Sequence, residues 1–408
     1  MKLIYNVSDK PKFGQLIVFA IQQLLAILAA TIAVPAIVGN GMSQSAALFG
    51  AGVGTIVYLL FTKFSSPVFL GSSFAFIGSM LAAFAGGVSA QKGYAGLIIG
   101  AVFAGLVYVV IALIVRLTGV KWINKIMPAV VIGPTVSIIG LSLAGNAIGD
   151  LTVGKVMTHV HDFVIVDGEI VEQINSVSAA NPYIALVCGL VTLFTVILCS
   201  VYGKKMMKLI PFIIGILAGY AVAAVFTVIG ICTDNISLQL IDFSVFSSMN
   251  WFAVPDFTFL EGVKGFKEID AKYIATIAFA YIPVAFVVFA EHIADHKNLS
   301  SIVDRDLLEN PGLHRTLLGD GVGSAVGALF GGCPNTTYGE SVGCVAITGN
   351  ASVVTILATA IMAIIISFFG LCYLPCQHSE LRYGRCLCNT LRLYRCKRSE
   401  NDSERGSE

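Results

Sequence analysis

Glu291 and Glu340 are the residues of this chain best placed to do chemistry, because each stands in or beside an apolar run long enough to be buried in a bilayer. Glu291 follows Val284-Ala285-Phe286-Val287-Val288-Phe289-Ala290, and Glu340 follows the helix-poor stretch Pro334-Asn335-Thr336-Thr337-Tyr338-Gly339. An ionisable side chain in hydrocarbon is costly, so by default it serves a pathway or a site. Asp295 lies four residues beyond Glu291, on the same face of a helix. Two carboxylates that close favour holding a proton between them, which makes Glu291, Asp295 and Glu340 candidates for proton coupling. A plainer alternative for Glu291 is a helix-end carboxylate near the cytoplasmic surface, in the company of His292, Asp295, His296 and Lys297. The plainer alternative for Glu340 is a structural polar residue in a helix bundle. Taken alone, His292 and His296 read as solvated side chains. No zinc site is expected, since this run lacks a supporting ligand elsewhere. An enzyme is not expected either, because no nucleophile–base pair is apparent.

The ligand chemistry follows from the donor and acceptor inventory. A carboxylate accepts two hydrogen bonds and, when protonated, donates one. Paired carboxylates on opposed segments therefore suit a planar neutral heterocycle with alternating N–H and C=O groups, such as a nucleobase. Backbone N–H groups near Phe74 and Gly339 would bind its carbonyl oxygens. Phe74, within Ser72-Ser73-Phe74-Ala75-Phe76, offers an aromatic face for stacking, although a Phe in a membrane segment is more often packing. An inorganic anion would call for Arg or backbone N–H groups and would avoid two carboxylates.

The elements that must position these groups are membrane spans. A chain of 408 residues that is 56% hydrophobic and 12% charged, with mean hydropathy +0.85, is an all-α polytopic membrane protein. Its Lys and Arg are scattered singly, without the basic face that nucleic acid requires. At about 20 residues per crossing, eleven candidate spans are legible: 14–36, 46–63, 67–87, 94–117, 126–147, 182–203, 208–232, 272–294, 313–331, 335–350 and 352–370. The basic residues Lys2, Lys10, Lys12, Lys63, Arg116, Lys121, Lys125, Lys204, Lys205 and Lys208 fall on alternate ends, which places the N-terminus in the cytoplasm. The acidic connections 148–181 and 233–271 then face outside. The polar N-terminus and the absence of a small-residue cleavage pattern predict a first span retained as an anchor. Cys188, Cys199, Cys232, Cys333 and Cys344, five of the ten cysteines, read as small hydrophobes.

Two spans are unusual. Ser65-Ser66-Pro67 opens the third and Gly71-Ser72-Ser73 interrupts it, while the Pro334–Gly339 stretch opens the tenth. Non-helical backbone at membrane depth survives only where it is buried in protein or lines a cavity. In a chain built of inverted seven-span repeats, spans 3 and 10 correspond, and paired interruptions point to a midplane binding site.

Ala290-Glu291-His292, Asn310-Pro311-Gly312-Leu313-His314-Arg315 and Pro334-Asn335-Thr336-Thr337-Tyr338-Gly339-Glu340 together resemble the bacterial uracil permeases of the nucleobase:cation symporter-2, or nucleobase–ascorbate transporter, family. Gly71–Phe76, Ala30-Thr31 to Val34-Pro35, and Glu340-Ser341 through Gly343 to Thr348-Gly349 fit the same pattern. The likeness covers about residues 10–370. It implies fourteen spans in two inverted repeats, with short extended segments in spans 3 and 10. The core would comprise 1–125 and 272–370, and a gate 126–271. It further implies elevator-like movement of core against gate, usually as a homodimer in the cell membrane. Uracil would be the cargo, with a proton as coupling ion and no other cofactor. By the same likeness Glu291 and Glu340 bind the pyrimidine, the backbone at Phe74 and Gly339 adds contacts, and Tyr338 lines the pocket. The chain departs from the family at three places: Asp295 stands where the uracil carrier has His, Gln23 where a His is common beside Gln22, and Ser341 where Asn is usual. A purine permease of the same family, an anion carrier of this fold, and a non-transporting binding remnant are the alternatives.

Residues 371–408 break the pattern. They hold Cys372, Cys376, Cys386, Cys388 and Cys396 with seven Lys or Arg and no membrane-length apolar run. The Cys spacing matches no metal-ligand pattern. Back-translating Arg382 to Arg398 and shifting by one base yields an apolar, Gly-rich segment. A frameshifted, disordered tail is therefore expected, with transport by this chain impaired.

Overall fold

The computed structural model describes residues 3–126, 156–166, 169–204, 211–243, 252–257 and 259–369, together with isolated positions at 134, 138, 141 and 207. Most of the span expected at 126–147, the first part (148–155) of the 148–181 connection and the tail 371–408 lie outside the described residues.

The first two helices are α1 (Phe13–Val38) and α2 (Gln44–Phe61). Ser43 starts α2 by accepting the Ala46 N–H at 3.2 Å, satisfying one of the four orphan donors of a helix start. The third span is not one helix. It is a short strand, β1 (Leu70–Ser72), a 3₁₀ turn at Phe74–Phe76, and a half-helix, α3 (Ile77–Ala83). Helices α4 (Ala90–Thr118) and α5 (Lys121–Ile126) follow. The long connection then contains a hairpin of β2 (Met157–Val166) and β3 (Glu169–Ser178). Between its strands the sequence reads Asp167-Gly168, a two-residue hairpin signal.

The second half runs α6 (Pro182–Tyr202), α7 (Pro211–Cys232), α8 (Phe259–Gly265), α9 (Ala271–Val303) and α10 (Leu313–Leu329). It closes with strand β4 (Asn335–Thr337), half-helix α11 (Gly339–Thr348) and α12 (Val353–Ile366). Six helices among the described residues are long and apolar enough to cross a membrane. The chain is thus a mostly helical, multi-span membrane protein, and spans 3 and 10 are strand–half-helix units as their sequence interruptions predicted.

One boundary differs markedly. The eighth span, expected over 272–294, continues to Val303 as a 33-residue helix, about 50 Å at 1.5 Å per residue. His292, Asp295 and His296 do not stop it because each finds a buried partner, described below.

Helix α10 lies between α2 and α4, and glycine makes this possible. A Cβ on Gly50 would stand 2.6 Å from the Gly327 carbonyl oxygen, one on Gly54 2.7 Å from that of Gly323, and one on Gly105 2.9 Å from that of Gly321. Gly50/Gly54 and Gly323/Gly327 are two small-xxx-small faces in direct backbone contact. One apolar cluster then fills the space among α3, α4, α9 and α10, with Met80, Leu97, Tyr108, Ile277 and Phe289. A second joins α1, α2, α11 and α12 around Ile27, Tyr58, Leu70, Val345 and Ile356.

Residues 252–270 strap this bundle. Ala253 N–H donates to the Phe368 carbonyl at 3.0 Å, and Phe257 packs edge-on against Phe49 at 4.9 Å. Helix α8 lies so close to α4 that a Cβ on Gly265 would collide with the Gln91 carbonyl. Lys92 pairs with Asp270 at 2.9 Å and Gln91 donates to Glu261 at 2.8 Å. These partners hold the Asp270 and Glu261 carboxyls below their ordinary range, chiefly through the hydrogen bonds from Lys92 and Lys264. Groups with depressed folded-state pKa stabilise the strap above the ordinary carboxylate pKa and lose that contribution as pH falls through the depressed value.

Gly54→Ala is expected to lower unfolding stability by about 1–3 kcal/mol, because the new methyl meets backbone that cannot yield. Gly14→Ala, where nothing lies within 4 Å, should leave it unchanged. Thermal unfolding in detergent checks both.

Candidate functional site at a strand crossing

Strands β1 and β4 pair antiparallel, with Leu70 opposite Thr337, Gly71 opposite Thr336 and Ser72 opposite Asn335. All six residues are buried. The ladder is extended at its ends by Ser73 N–H to the Pro334 carbonyl at 3.0 Å and Tyr338 N–H to the Phe69 carbonyl at 3.2 Å. Side chains take the strand groups left over. Thr55 Oγ1 accepts from Leu70 N–H at 2.9 Å, and Ser341 Oγ accepts from Phe69 N–H at 3.1 Å. Gln23 Nε2 donates to Ser341 Oγ at 2.5 Å, and Asn335 Nδ2 donates to the Gly50 carbonyl at 3.1 Å. The departures at Gln23 and Ser341 thus meet each other and tie α1 to the crossing.

Each strand runs directly into a helical start. Phe74 opens the 3₁₀ turn leading to α3, and Gly339 opens α11; neither start has a side-chain cap. Uncapped starts carry free N–H groups and the positive end of the helix dipole. Glu340, in the first turn of α11, complements that dipole. Phe74 is half-buried, Gly339 is exposed and Glu340 is half-buried. Gly78 and Gly343 nearby in sequence each face open space.

Helix α9 brings the other carboxylates. Asp295 is buried and accepts from Thr337 Oγ1 at 2.9 Å. A Cβ on Gly339 would stand 3.5 Å from Asp295 Oδ1, so α9 and the start of α11 are in contact. Glu291, one turn earlier, is half-buried and close enough to Asp295, Glu340 and Asp320 to feel their charges. It lies twenty residues into α9 with twelve more to follow, so it is not a helix-end carboxylate. Glu291, Asp295, Gly339 and Glu340 are therefore brought to one place, with Phe74 at the opposite half-helix start.

Tyr338, expected to line the pocket, is buried at the strand crossing. It is only 4% exposed, its ring lies where any side chain on Gly71 would have to go, and its hydroxyl donates to the Ser72 carbonyl at 2.7 Å. It fastens one strand to the other.

The solvated assignment of His292 and His296 is wrong: both are fully buried. His292 Nδ1 lies 2.7 Å from Asp320 Oδ2 and its Nε2 lies 3.0 Å from Thr316 Oγ1. The His296 ring stacks on it at 4.1 Å. His296 Nδ1 faces the His292 carbonyl at 2.9 Å. A carbonyl can only accept, so Nδ1 carries a proton, while Nε2 lies 2.8 Å from the Tyr58 hydroxyl, which itself donates to Ser66 Oγ. The reason is geometric: α9 continues past both histidines, and their shared face turns toward α10 and α2.

Asp320 is the residue that sequence reasoning missed. It is fully buried on α10, and Thr336 Oγ1 of β4 stands 3.4 Å from its Oδ2. Its signal was present, a carboxylate inside Leu317-Leu318-Gly319-Asp320-Gly321-Val322, and the reasoning applied to Glu291 applies equally. Among the described residues no three His, Cys, Asp or Glu side chains form a metal-ligating group.

Crossed, broken segments at the centre of a helical bundle, with carboxylates gathered at their junction, define a membrane transport protein. The permease family model matches residues 14–372, and the chain belongs to that family. It is 38% identical over 370 residues to a uracil permease of Bacillus caldolyticus, covering 90% of this chain and 75% of that relative. Identity to a uracil permease of Bacillus subtilis (strain 168) is 36% over 369 residues, with the same coverage. For a uracil permease of Escherichia coli (strain K12) it is 30% over 365 residues, 90% of this chain and 73% of the relative. The transmembrane domain of a cyanobacterial bicarbonate transporter superposes with TM-score 0.52 at 15% identity, over 93% of this chain and 91% of that one; this likeness speaks for the fold alone.

Asp320→Ala would leave the His292 N–H unpaired in a fully buried position, at an expected cost of about 1–3 kcal/mol. Combined with His292→Ala it should cost clearly less than the sum of the two. Denaturant unfolding of the two singles and the double is the check.

Proposed function

We propose that this protein takes up uracil across the cytoplasmic membrane in symport with protons. The observation that carries the proposal is the junction itself. Glu291 and Glu340 make no side-chain hydrogen bond to another residue among the described residues, yet they stand in company with two uncapped half-helix starts. A pyrimidine with two ring N–H groups and two carbonyls matches that set: carboxylates accept from the ring N–H groups, and the amides near Phe74 and Gly339 donate to the carbonyls. Phe74 stacks on the ring. The uracil permeases among its relatives support the same substrate.

Proton coupling is assigned to Glu291, Asp295 and Glu340. Carboxylates gathered this closely cannot all stay ionised away from water, so loading the site and taking up protons are coupled. The core of residues 1–125 and 272–370 moves as a unit against residues 126–271, with the N-terminus cytoplasmic.

The test is radiolabelled uracil uptake in permease-deficient cells expressing the chain, with and without a protonophore, alongside equilibrium binding to the purified protein. Uptake abolished by the protonophore, and binding displaced by unlabelled uracil in preference to xanthine, is the expected result. Xanthine displacing label better than uracil would overturn the substrate, and protonophore-insensitive uptake would overturn the coupling. Glu291→Gln and Glu340→Gln should each weaken uracil binding about 10–100-fold, the loss of a hydrogen bond to a charged group.

A further inference from the structure

A second polar site lies away from the strand crossing, where the end of α4 meets the turn into α10. A cavity of about 260 Å³ opens there. Its floor is apolar, formed by the buried side chains of Val115, Leu308 and Leu313. Its rim carries Arg116 and His314 together with one carboxylate, Glu309. Arg315 stands next to His314, and both arginines are near enough for His314 to feel their charge. The Lys or Arg side chains paired with a carboxylate among the described residues are Lys92, with Asp270, and Lys264, with Glu261, so neither arginine is paired with a carboxylate there.

What adjoins the cavity indicates what fills it. Arg116 sits at the end of an exposed apolar stripe on α4 made by Leu106, Val109, Val110, Leu113, Ile114 and Leu117, each at least 39% exposed. From Leu106 to Arg116 is ten residues, about 15 Å of helix, the depth of one bilayer leaflet. A free phosphate would satisfy the cations and leave the apolar floor and stripe unused. A molecule with a negative headgroup and an acyl chain matches both.

We propose that this cavity is a binding site for the headgroup of an anionic phospholipid, held by Arg116 and His314, with an acyl chain lying along α4. Basic pockets between transmembrane helices on the positive side of a membrane are suited to such headgroups. The site touches α4, the 308–312 turn and α10, so an occupied site joins the helix pair whose glycines meet at Gly105 and Gly321.

Native mass spectrometry of the purified chain, after exchange into mixed micelles of phosphatidylglycerol and phosphatidylcholine, tests this. The wild type is expected to retain phosphatidylglycerol about tenfold over phosphatidylcholine, given roughly one favourable charge contact per cation. Arg116→Gln with His314→Gln should bring the ratio to near one, while Lys264→Gln, on the α8 strap, should leave it unchanged. Millimolar inorganic phosphate should not displace the lipid. Equal retention of both lipids by the wild type, undiminished preference in the double variant, or displacement by inorganic phosphate would each overturn the proposal. If the double variant fails to fold, the wild-type lipid ratio and the phosphate competition still decide.

Discussion

Backbone hydrogen bonding at membrane depth is the constraint on which this structure depends. Away from water, each unsatisfied amide or carbonyl costs several kcal/mol, yet the chain places two extended segments inside its bundle. They survive by pairing with each other, and several buried side chains around them add to that pairing. Thr55 and Ser341 take the leftover donors, Gln23 donates to Ser341, Tyr338 clamps Ser72, and Asn335 reaches across to the Gly50 carbonyl. The glycine faces of α2 and α10 let the helices approach closely enough for Asn335 to do so. In return, two helices begin in the middle of the protein without a side-chain cap from their N-cap residues.

The same junction explains why so many ionisable groups are tolerated in one place. Asp320 and His292 satisfy each other through a buried hydrogen bond, and Asp295 has the Thr337 hydroxyl. The histidine pair passes the polar connection on to Tyr58 and Ser66. Glu291 and Glu340 stand apart from this network. Neither makes a side-chain hydrogen bond to another residue among the described residues, which sets them apart from the groups that hold the bundle.

Much of this was legible in the sequence. Apolar run lengths located most of the spans, and Gly71-Ser72-Ser73 and Pro334–Gly339 disclosed broken segments, because Gly, Ser and Pro at membrane depth conflict with a continuous helix. Glu291 and Glu340 stood out because a charge in an apolar run has few innocent explanations. The rest depended on which face met which. His292 and His296 look like a polar helix end in the sequence, and only the continuation of α9 to Val303 shows that they point inward. Asp320 was hidden among glycines whose role, close contact with α2 and α4, cannot be seen without the partner helices. The hairpin had a short-range signal in Asp167-Gly168, but an acidic connection masked it.

The central claim is that the strand crossing presents Glu291, Glu340 and two half-helix starts to one planar neutral ring. Its most direct test is a structure determined with uracil bound. The account predicts density for the ring between α9 and α11, its N–H groups facing Glu291 and Glu340 and its carbonyls facing the amides at Phe74 and Gly339. Uracil bound elsewhere, with Glu291 and Glu340 paired to protein groups instead, would contradict it.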